Sequence, residues 1–208
     1  MNKIIKIDRH RMGTDGSGIS TLVVFHGCPL NCEYCINDFC HRDDILVRTL
    51  SANKLVEELS VDDIYFRMSG GGIVFGGGEP ILNSYYIEEV IQKAPSEWQF
   101  RIETSLNASW EHVERLIPYI DQWIIDIKDL NPDIYKRYTG LDNSLVIENS
   151  IKLSKYVSKC NILFRIPKIP NYNNETDIEK SVSYFEKLGI TECFDYINTK
   201  EKQLPVAF

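Results

Sequence analysis

The chain has 208 residues, 43% of them hydrophobic and 11% aromatic, which is enough for one substantial core in a single domain. A formal charge of −7, from 30 acidic against 23 basic residues with no Lys/Arg block, argues against nucleic acid and anionic membrane surfaces as partners. No apolar stretch approaches the roughly 18–20 residues that span a bilayer, and the polar start MNKIIKIDRH is no signal peptide, so a cytoplasmic location is expected.

Residues 1–18 read as a short polar lead-in ending in the turn-rich Gly13-Thr14-Asp15-Gly16-Ser17-Gly18. A run rich in β-branched and apolar residues over 19–26 predicts the first strand. Residues 43–50 are ambiguous, and 62–68 form a crossing to Gly70-Gly71-Gly72. Ser51 is a plausible N-cap for a helix to residue 59, and 73–75 make a short buried strand running into Gly76-Gly77-Gly78-Glu79-Pro80. The alternation repeats: helices over 83–94, 109–119, 132–138, 146–157 and 175–188, strands over 98–103, 123–127, 162–166 and 193–197. The last ten residues look irregular. Six strands alternating with helices argue for an α/β fold with a parallel sheet. An eight-unit barrel takes roughly 250 residues, about 31 per unit, so this length suits about six units. A doubly wound sheet and an incomplete barrel both satisfy the pattern.

Three cysteines follow the first strand directly: Cys28, Cys32 and Cys35, spaced C-x3-C-x2-C in TLVVFHGCPLNCEYCIN. Six cysteines in all, half of them in this motif, point to a reducing compartment and a metal site rather than a disulfide framework. Three thiolates fall one ligand short of a closed tetrahedral site, which reads as a cluster with an open corner. Zinc completed by Cys40 or His41 is the competing reading, but the second C-x2-C knuckle usual in zinc sites is missing. Tyr34 sets an aromatic face beside whatever binds the open corner.

Other chemistry-bearing residues stand at the carboxyl ends of predicted strands, where parallel folds place their sites. Gly77-Gly78-Glu79 follows the second strand, and alone it is also a tight strand-to-helix turn. Glu103-Thr104-Ser105 follows the third and also suits a helix cap. Asp126 and Lys128 share one face of the fourth and are costly to bury unpaired, a structural ion pair being the plain alternative. Arg165, late in the fifth, offers a bidentate fork for a carboxylate. His26 is the histidine best placed to matter, whereas His10, His41 and His112 carry no pattern. Cys40 reads as a stray thiol, and Cys160 and Cys193 as small buried residues opening the last two strands.

The cysteine spacing, with an aromatic residue before the third cysteine, resembles the signature of radical S-adenosylmethionine (SAM) enzymes. The resemblance implies that Cys28, Cys32 and Cys35 hold one [4Fe-4S] cluster, whose fourth iron chelates the amino and carboxylate groups of SAM. An electron from the reduced cluster then cleaves the sulfonium to methionine and a 5′-deoxyadenosyl radical, which abstracts hydrogen. It further implies cosubstrate contacts at Tyr34, Gly77, Gly78, Glu79, Glu103, Ser105, Asp126, Lys128 and Arg165, with a monovalent cation near Asp126 as a candidate. Arg165-Ile166-Pro167 through Pro170-Asn171-Tyr172-Asn173 resembles the family's R-x-P…P-G-x-N element, with Asn171 for Gly, a mild change because Asn tolerates positive φ. The implied fold is an incomplete (β/α)6 TIM-like barrel with outer helices, one domain over residues 1–208 with its cluster loop at 26–37.

A narrower resemblance rests on Asp15-Gly16-Ser17-Gly18-Ile19, similar to the D-G-P-G-I element of glycyl-radical enzyme activating enzymes, on the glycine-rich run 69–80, and on Asp126-Ile127-Lys128-Asp129 with Tyr138-Thr139-Gly140. It implies a large glycyl-radical enzyme as protein substrate, with Asp15 touching the backbone of its glycine loop; a turn-forming Asx residue is the plain alternative. It also implies a flavodoxin or ferredoxin-type electron donor, an anaerobic setting and a monomer. The cysteine-rich insert of some members is missing, so one cluster is expected. A radical enzyme acting on a small molecule or short peptide is the alternative function, and a non-catalytic iron–sulfur carrier the third.

Overall fold

The computed structural model describes residues 2–158, 161–189 and 194–195. Its sheet takes seven strands in the order of the chain: β1 (Ile4–Met12), β2 (Ile19–Phe25), β3 (Gly72–Gly77), β4 (Gln99–Thr104), β5 (Gln122–Asp126), β6 (Ile162–Arg165) and β7 (Phe194–Asp195). β2 to β7 run parallel to their neighbours, and β1 pairs antiparallel with β2. A doubly wound sheet reverses its strand order at a switch point; this sheet never does, so the incomplete barrel is the architecture. Among the described residues β1 and β7 remain edges, and the barrel does not close.

The six parallel strands are those read from the sequence, and β1 is an addition to them. The segment Ile-Lys-Ile-Asp alternates apolar and charged side chains, but Asp8-Arg9-His10-Arg11 is polar throughout, so this edge strand resembles a polar lead-in. A bulge between Asp8 and Arg11 puts His10 at φ 58 and brings its imidazole onto the buried Asp62.

Among the described residues seven α-helices pack on the convex side: α1 (Ala52–Leu59), α2 (Asp63–Ser69), α3 (Ser84–Lys93), α4 (Trp110–Leu116), α5 (Pro132–Thr139), α6 (Ser144–Tyr156) and α7 (Glu175–Lys187). Their ends follow local chemistry. Ser51 caps α1, Asn131 with Pro132 opens α5, and an Asn174–Asp177 capping box opens α7. α2 occupies the run that reads as a crossing in the sequence. Its apolar residues Ile64, Tyr65 and Met68 face outward, as does Val61 in the turn before it, and only Phe66 is buried within the helix.

Alternate residues of each strand divide between two faces. Val23, Phe25, Ile73, Phe75, Phe100, Ile102, Trp123, Ile125 and Phe164 join the helices in the main core. The concave face holds a small apolar floor of Leu22, Val24 and Val74, then turns polar towards β4, β5 and β6. Cys160, Cys193, the rest of the strand expected at 193–197 and the final ten residues lie outside the described residues. No helix among the described residues is long and apolar enough to cross a membrane.

Candidate functional site

The cysteine loop leaves β2 at Gly27 and is tied down by backbone at both ends. Gly27 N–H donates to Cys40 O (2.9 Å), while Asn31 and Glu33 N–H donate to Thr139 O and Tyr138 O at the last turn of α5 (2.9 and 3.2 Å). α5 stops there because Gly140 takes the left-handed conformation, φ 83. Cys28 and Cys32 lie half-buried against the main core, and Cys35 is also half-buried. Burial pushes the Cys28 thiol up to about 12, with the charge of Glu79 adding to it. Burial also raises Cys32, against the pull of the Lys128 ammonium.

The donor set, three free thiols on one loop, is that of an iron–sulfur cluster. Among the described residues no three His, Cys, Asp or Glu side chains are grouped as ligands of a single metal ion. Cys40 is fully buried in the apolar floor and His41 is exposed, so neither completes a zinc tetrahedron. His26 spends its Nε2 on Arg42 O (3.1 Å), a loop tie.

The second strand end packs against this loop at backbone distance. Gly78 N–H donates to Phe25 O (2.9 Å) and Glu79 N–H to Gly27 O (2.8 Å). A Cβ at Gly78 would stand 2.2 Å from Gly27 O, and one at Gly77, where φ is +100, would stand 2.6 Å from Val24 Cγ1. The glycines are therefore demanded by close approach, whatever else they touch. Asn37 Nδ2 donates to Gly77 O (2.9 Å), stitching the cluster loop to the strand end.

Glu79 is 1% exposed and accepts four hydrogen bonds. Oε1 takes the Thr104 hydroxyl (2.5 Å) and Ile81 N–H (3.3 Å); Oε2 takes the Ser105 N–H (2.9 Å) and hydroxyl (2.6 Å). Burial raises its carboxyl above the ordinary range despite the opposing pull of those donors. A ligand amino group reaching Glu79 has to displace or share one of them.

Glu103, Asp126, Lys128 and Arg165 converge on the concave face. Asp126 and Arg165 are register partners in adjacent strands. Arg165 Nη1 donates to Glu103 Oε1 (2.6 Å) and Nη2 to Thr14 O (2.7 Å), while its buried Nε has no partner. Lys128 Nζ lies 3.3 Å from Asp126 Oδ2. Burial works against the Lys128 charge, but Asp126 and the Cys32 thiolate raise it further still. Burial likewise raises the Glu103 carboxyl, with Arg165 pulling the other way.

Asp15 is also brought to this face, 2% exposed, but Arg11 already holds it. Arg11 Nη2 donates to Oδ1 (2.9 Å) and Nε to Oδ2. Gly16 rests on Arg101 and Gln122, so the lead-in turn lies along the lower concave face. Tyr34, 36% exposed, meets Tyr138 and Tyr172 at ring distances of 6.2 and 6.1 Å, and Tyr172 donates its hydroxyl to Glu33. Asn171 adopts φ 67, as its place in a glycine position requires.

Residue types alone give no signal for Arg11 or Asn149. Thr104 lies inside the Glu-Thr-Ser run, and only the fold shows it bonded to Glu79. Tyr138 was visible through Tyr-Thr-Gly, without a role.

The family model for the Radical SAM superfamily matches residues 22–183. The chain is 37% identical to the (2S)-3-sulfopropanediol dehydratase activating enzyme of Klebsiella oxytoca, over 82% of this chain and 73% of that protein. It is 27% identical to the pyruvate formate-lyase-activating enzyme of Staphylococcus aureus (strain USA300), over 89% of this chain and 77% of that protein. A domain of the pyruvate-formate lyase-activating enzyme from Bacteroides vulgatus shares the fold, with a TM-score of 0.53 and 23% identity over 65% of this chain and 86% of that one.

Proposed function

The chain belongs to the radical SAM superfamily, among the glycyl-radical enzyme activating enzymes that work with a [4Fe-4S] cluster and SAM, and from that membership we propose that it takes a Cα hydrogen from one glycine of a large partner enzyme. When bound, the reduced cluster supplies the electron that splits the SAM sulfonium and releases the hydrogen-abstracting 5′-deoxyadenosyl radical. The single observation that carries the protein-substrate reading is the 37% identity to a protein named as an activating enzyme. Among the described residues the sheet does not close, which supports it, because a concave face open at its side admits a peptide loop.

In this reading Cys28, Cys32 and Cys35 hold the cluster, and residues 1–208 act as one domain. Gly77 and Gly78 bring bare backbone to the amino-acid end of SAM, with Glu79 and Ser105 fixing that wall. The orphaned Nε of Arg165 suits the cosubstrate carboxylate, since an unpaired buried guanidinium N–H is costly until something accepts from it. Glu103 and Asp126 face the ribose side, where a monovalent cation would relieve their crowding, and Lys128 balances Asp126 beside Cys32. Tyr34 offers its ring at the rim. Asp15 meets the glycine loop by exchanging Arg11 for peptide N–H groups. A flavodoxin or ferredoxin-type donor supplies the electron.

The test is anaerobic. Reconstituted protein, dithionite and SAM should yield 5′-deoxyadenosine; Cys32→Ala should lose iron and product, while Cys40→Ala keeps both. Adding a candidate glycyl-radical enzyme from the same genome should give a glycyl-radical EPR doublet. Product without that doublet, for every such partner, moves the assignment to a small-molecule or peptide substrate.

A further inference from the structure

Leu106 is fully buried and sits at φ 58, in the left-handed region that bulky L side chains seldom enter. It follows directly on Ser105, whose N–H and hydroxyl both point at Glu79. The turn is knotted from within: Leu106 N–H donates to Thr104 Oγ1 (2.9 Å) and Asn107 N–H to Ser105 Oγ (3.3 Å). Its donors are thus drawn towards Glu79, and its carbonyls face the other way.

Leu106 O accepts from Ala108 N–H (3.0 Å), and one side chain gathers both the Leu106 and Ala108 carbonyls. Asn149, fully buried on α6, donates from Nδ2 to Leu106 O (2.9 Å) and to Ala108 O (2.8 Å). Its Oδ1 is buried without a partner, so the amide gives up an acceptor's satisfaction to serve as a double donor. An amide oxygen buried without a partner costs stability. A glycine at 106 would need no such tie; a leucine does, because its backbone tends to fall back to negative φ.

We propose that Asn149 is a positioning residue for SAM: by clamping the two carbonyls it holds Leu106 left-handed, which aims Ser105 at Glu79 and sets the Gly78–Glu79 wall. The inference rests on the reading that this wall meets the cosubstrate. Asn149 touches no cosubstrate itself and acts through Ser105.

Strain at Leu106 supplies the test. Asn149→Leu keeps the branched outline of the side chain but removes the donor, and should weaken SAM binding about tenfold, with cluster iron unchanged, since misplacement at a site is costly. Leu106→Gly, made in that background, lets the turn stay left-handed without a tie and should restore SAM affinity to within about threefold of the parent. A residue serving stability alone predicts the reverse, because deleting a buried leucine can only weaken the fold further. Affinity is read by equilibrium dialysis on the reconstituted protein, alongside the EPR spectrum of the reduced cluster with and without SAM.

Unaltered SAM affinity in Asn149→Leu, or a double variant worse than the single one, overturns the inference. If Asn149→Leu does not fold, Asn149→Ser carries the same comparison. If both fail with and without Leu106→Gly, Asn149 is a folding residue and the inference is overturned. Failure of the parent protein to bind SAM overturns instead the underlying reading, so the two failures are distinguishable.

Discussion

Ser105 places two hydrogen bonds on one oxygen of Glu79, the backbone N–H at 2.9 Å and the hydroxyl at 2.6 Å, and so locks the ends of β3 and β4 together. Both residues are buried, so bulk solvent does not reach the carboxylate to replace a lost donor. Ser105→Ala keeps the N–H and deletes the hydroxyl. It should cost about 1–3 kcal/mol of unfolding free energy, the range for under-partnering a buried charged acceptor, and weaken SAM binding in parallel. Denaturant unfolding of the apo-protein and SAM titration of the reconstituted one check the two parts. An unchanged denaturation midpoint would mean Glu79 does not depend on this donor.

The glycine run allows a graded test. A Cβ on Gly78 would meet the Gly27 carbonyl oxygen at 2.2 Å, and neither backbone can retreat without opening the cluster loop. Gly78→Ala should therefore cost more than about 4 kcal/mol and release iron. A Cβ on Gly76 would meet Leu22 Cδ1 at 2.9 Å and Glu103 Oε2 at 3.1 Å, both movable side-chain ends. Gly76→Ala should fold, losing about 1–3 kcal/mol to overpacking, with iron retained and SAM affinity reduced through Glu103. Iron content after reconstitution separates the two. Equal iron in both variants would show that the loop tolerates displacement.

Legibility in the sequence followed burial. β2, β3, β5 and β6 were readable because each carries a short apolar run bounded by turn residues, as parallel strands buried on both faces do, and β4 because Phe100 and Ile102 alternate with polar neighbours. β1 was hidden because half its side chains are charged, and α2 because its apolar stripe points to solvent. At the site, the cysteines announce themselves by spacing and the Gly77–Glu79 turn by composition. That Glu79 is saturated by Thr104 and Ser105, or that Asp15 is held by Arg11, depends on tertiary placement that no local pattern encodes. Asn149 is the extreme case: an ordinary asparagine in an amphipathic helix, given its work by backbone 43 and 41 residues earlier in the chain.

A pH effect on stability follows from Asp129, which joins the loops after β5 and β6. Oδ1 accepts from Asn131 N–H (2.8 Å) and Oδ2 from Asn173 Nδ2 (3.1 Å), yet burial still raises its carboxyl above the ordinary 3.8. The folded state therefore keeps this proton to higher pH than the unfolded state. Stability must fall as pH rises through the window just above 3.8, then level off once both states are ionised. Asp129→Asn does not titrate and carries only a constant loss, because its amide faces that of Asn173. Measured by denaturant midpoints from acidic to neutral pH, the wild-type advantage over Asp129→Asn should shrink with rising pH and then stay constant. An advantage that grows with pH would mean the carboxyl is lowered, not raised.

Asp15 and Arg11 separate a substrate contact from a structural ion pair. Arg11 donates to both oxygens of Asp15, which is almost wholly buried, while Arg11 keeps part of its surface in water. Breaking the pair from either side should cost about 2–3 kcal/mol, somewhat under the value for a fully dry pair. Asp15→Ala and Arg11→Met thus carry similar stability losses, but only the first removes the carboxylate. If Asp15 receives the N–H groups of the partner's glycine loop, Asp15→Ala should spare partner-free 5′-deoxyadenosine formation and cut the glycyl-radical yield about tenfold, the loss expected when one charge-assisted hydrogen bond goes. Arg11→Met should leave most of that yield, because the freed carboxylate still finds the peptide. Radical spin counts and 5′-deoxyadenosine, measured on both variants at a temperature where each is folded, decide the matter. Equal falls in radical yield would make the pair a structural brace, and a collapse of partner-free cleavage in Asp15→Ala would place its role at the floor of the SAM pocket.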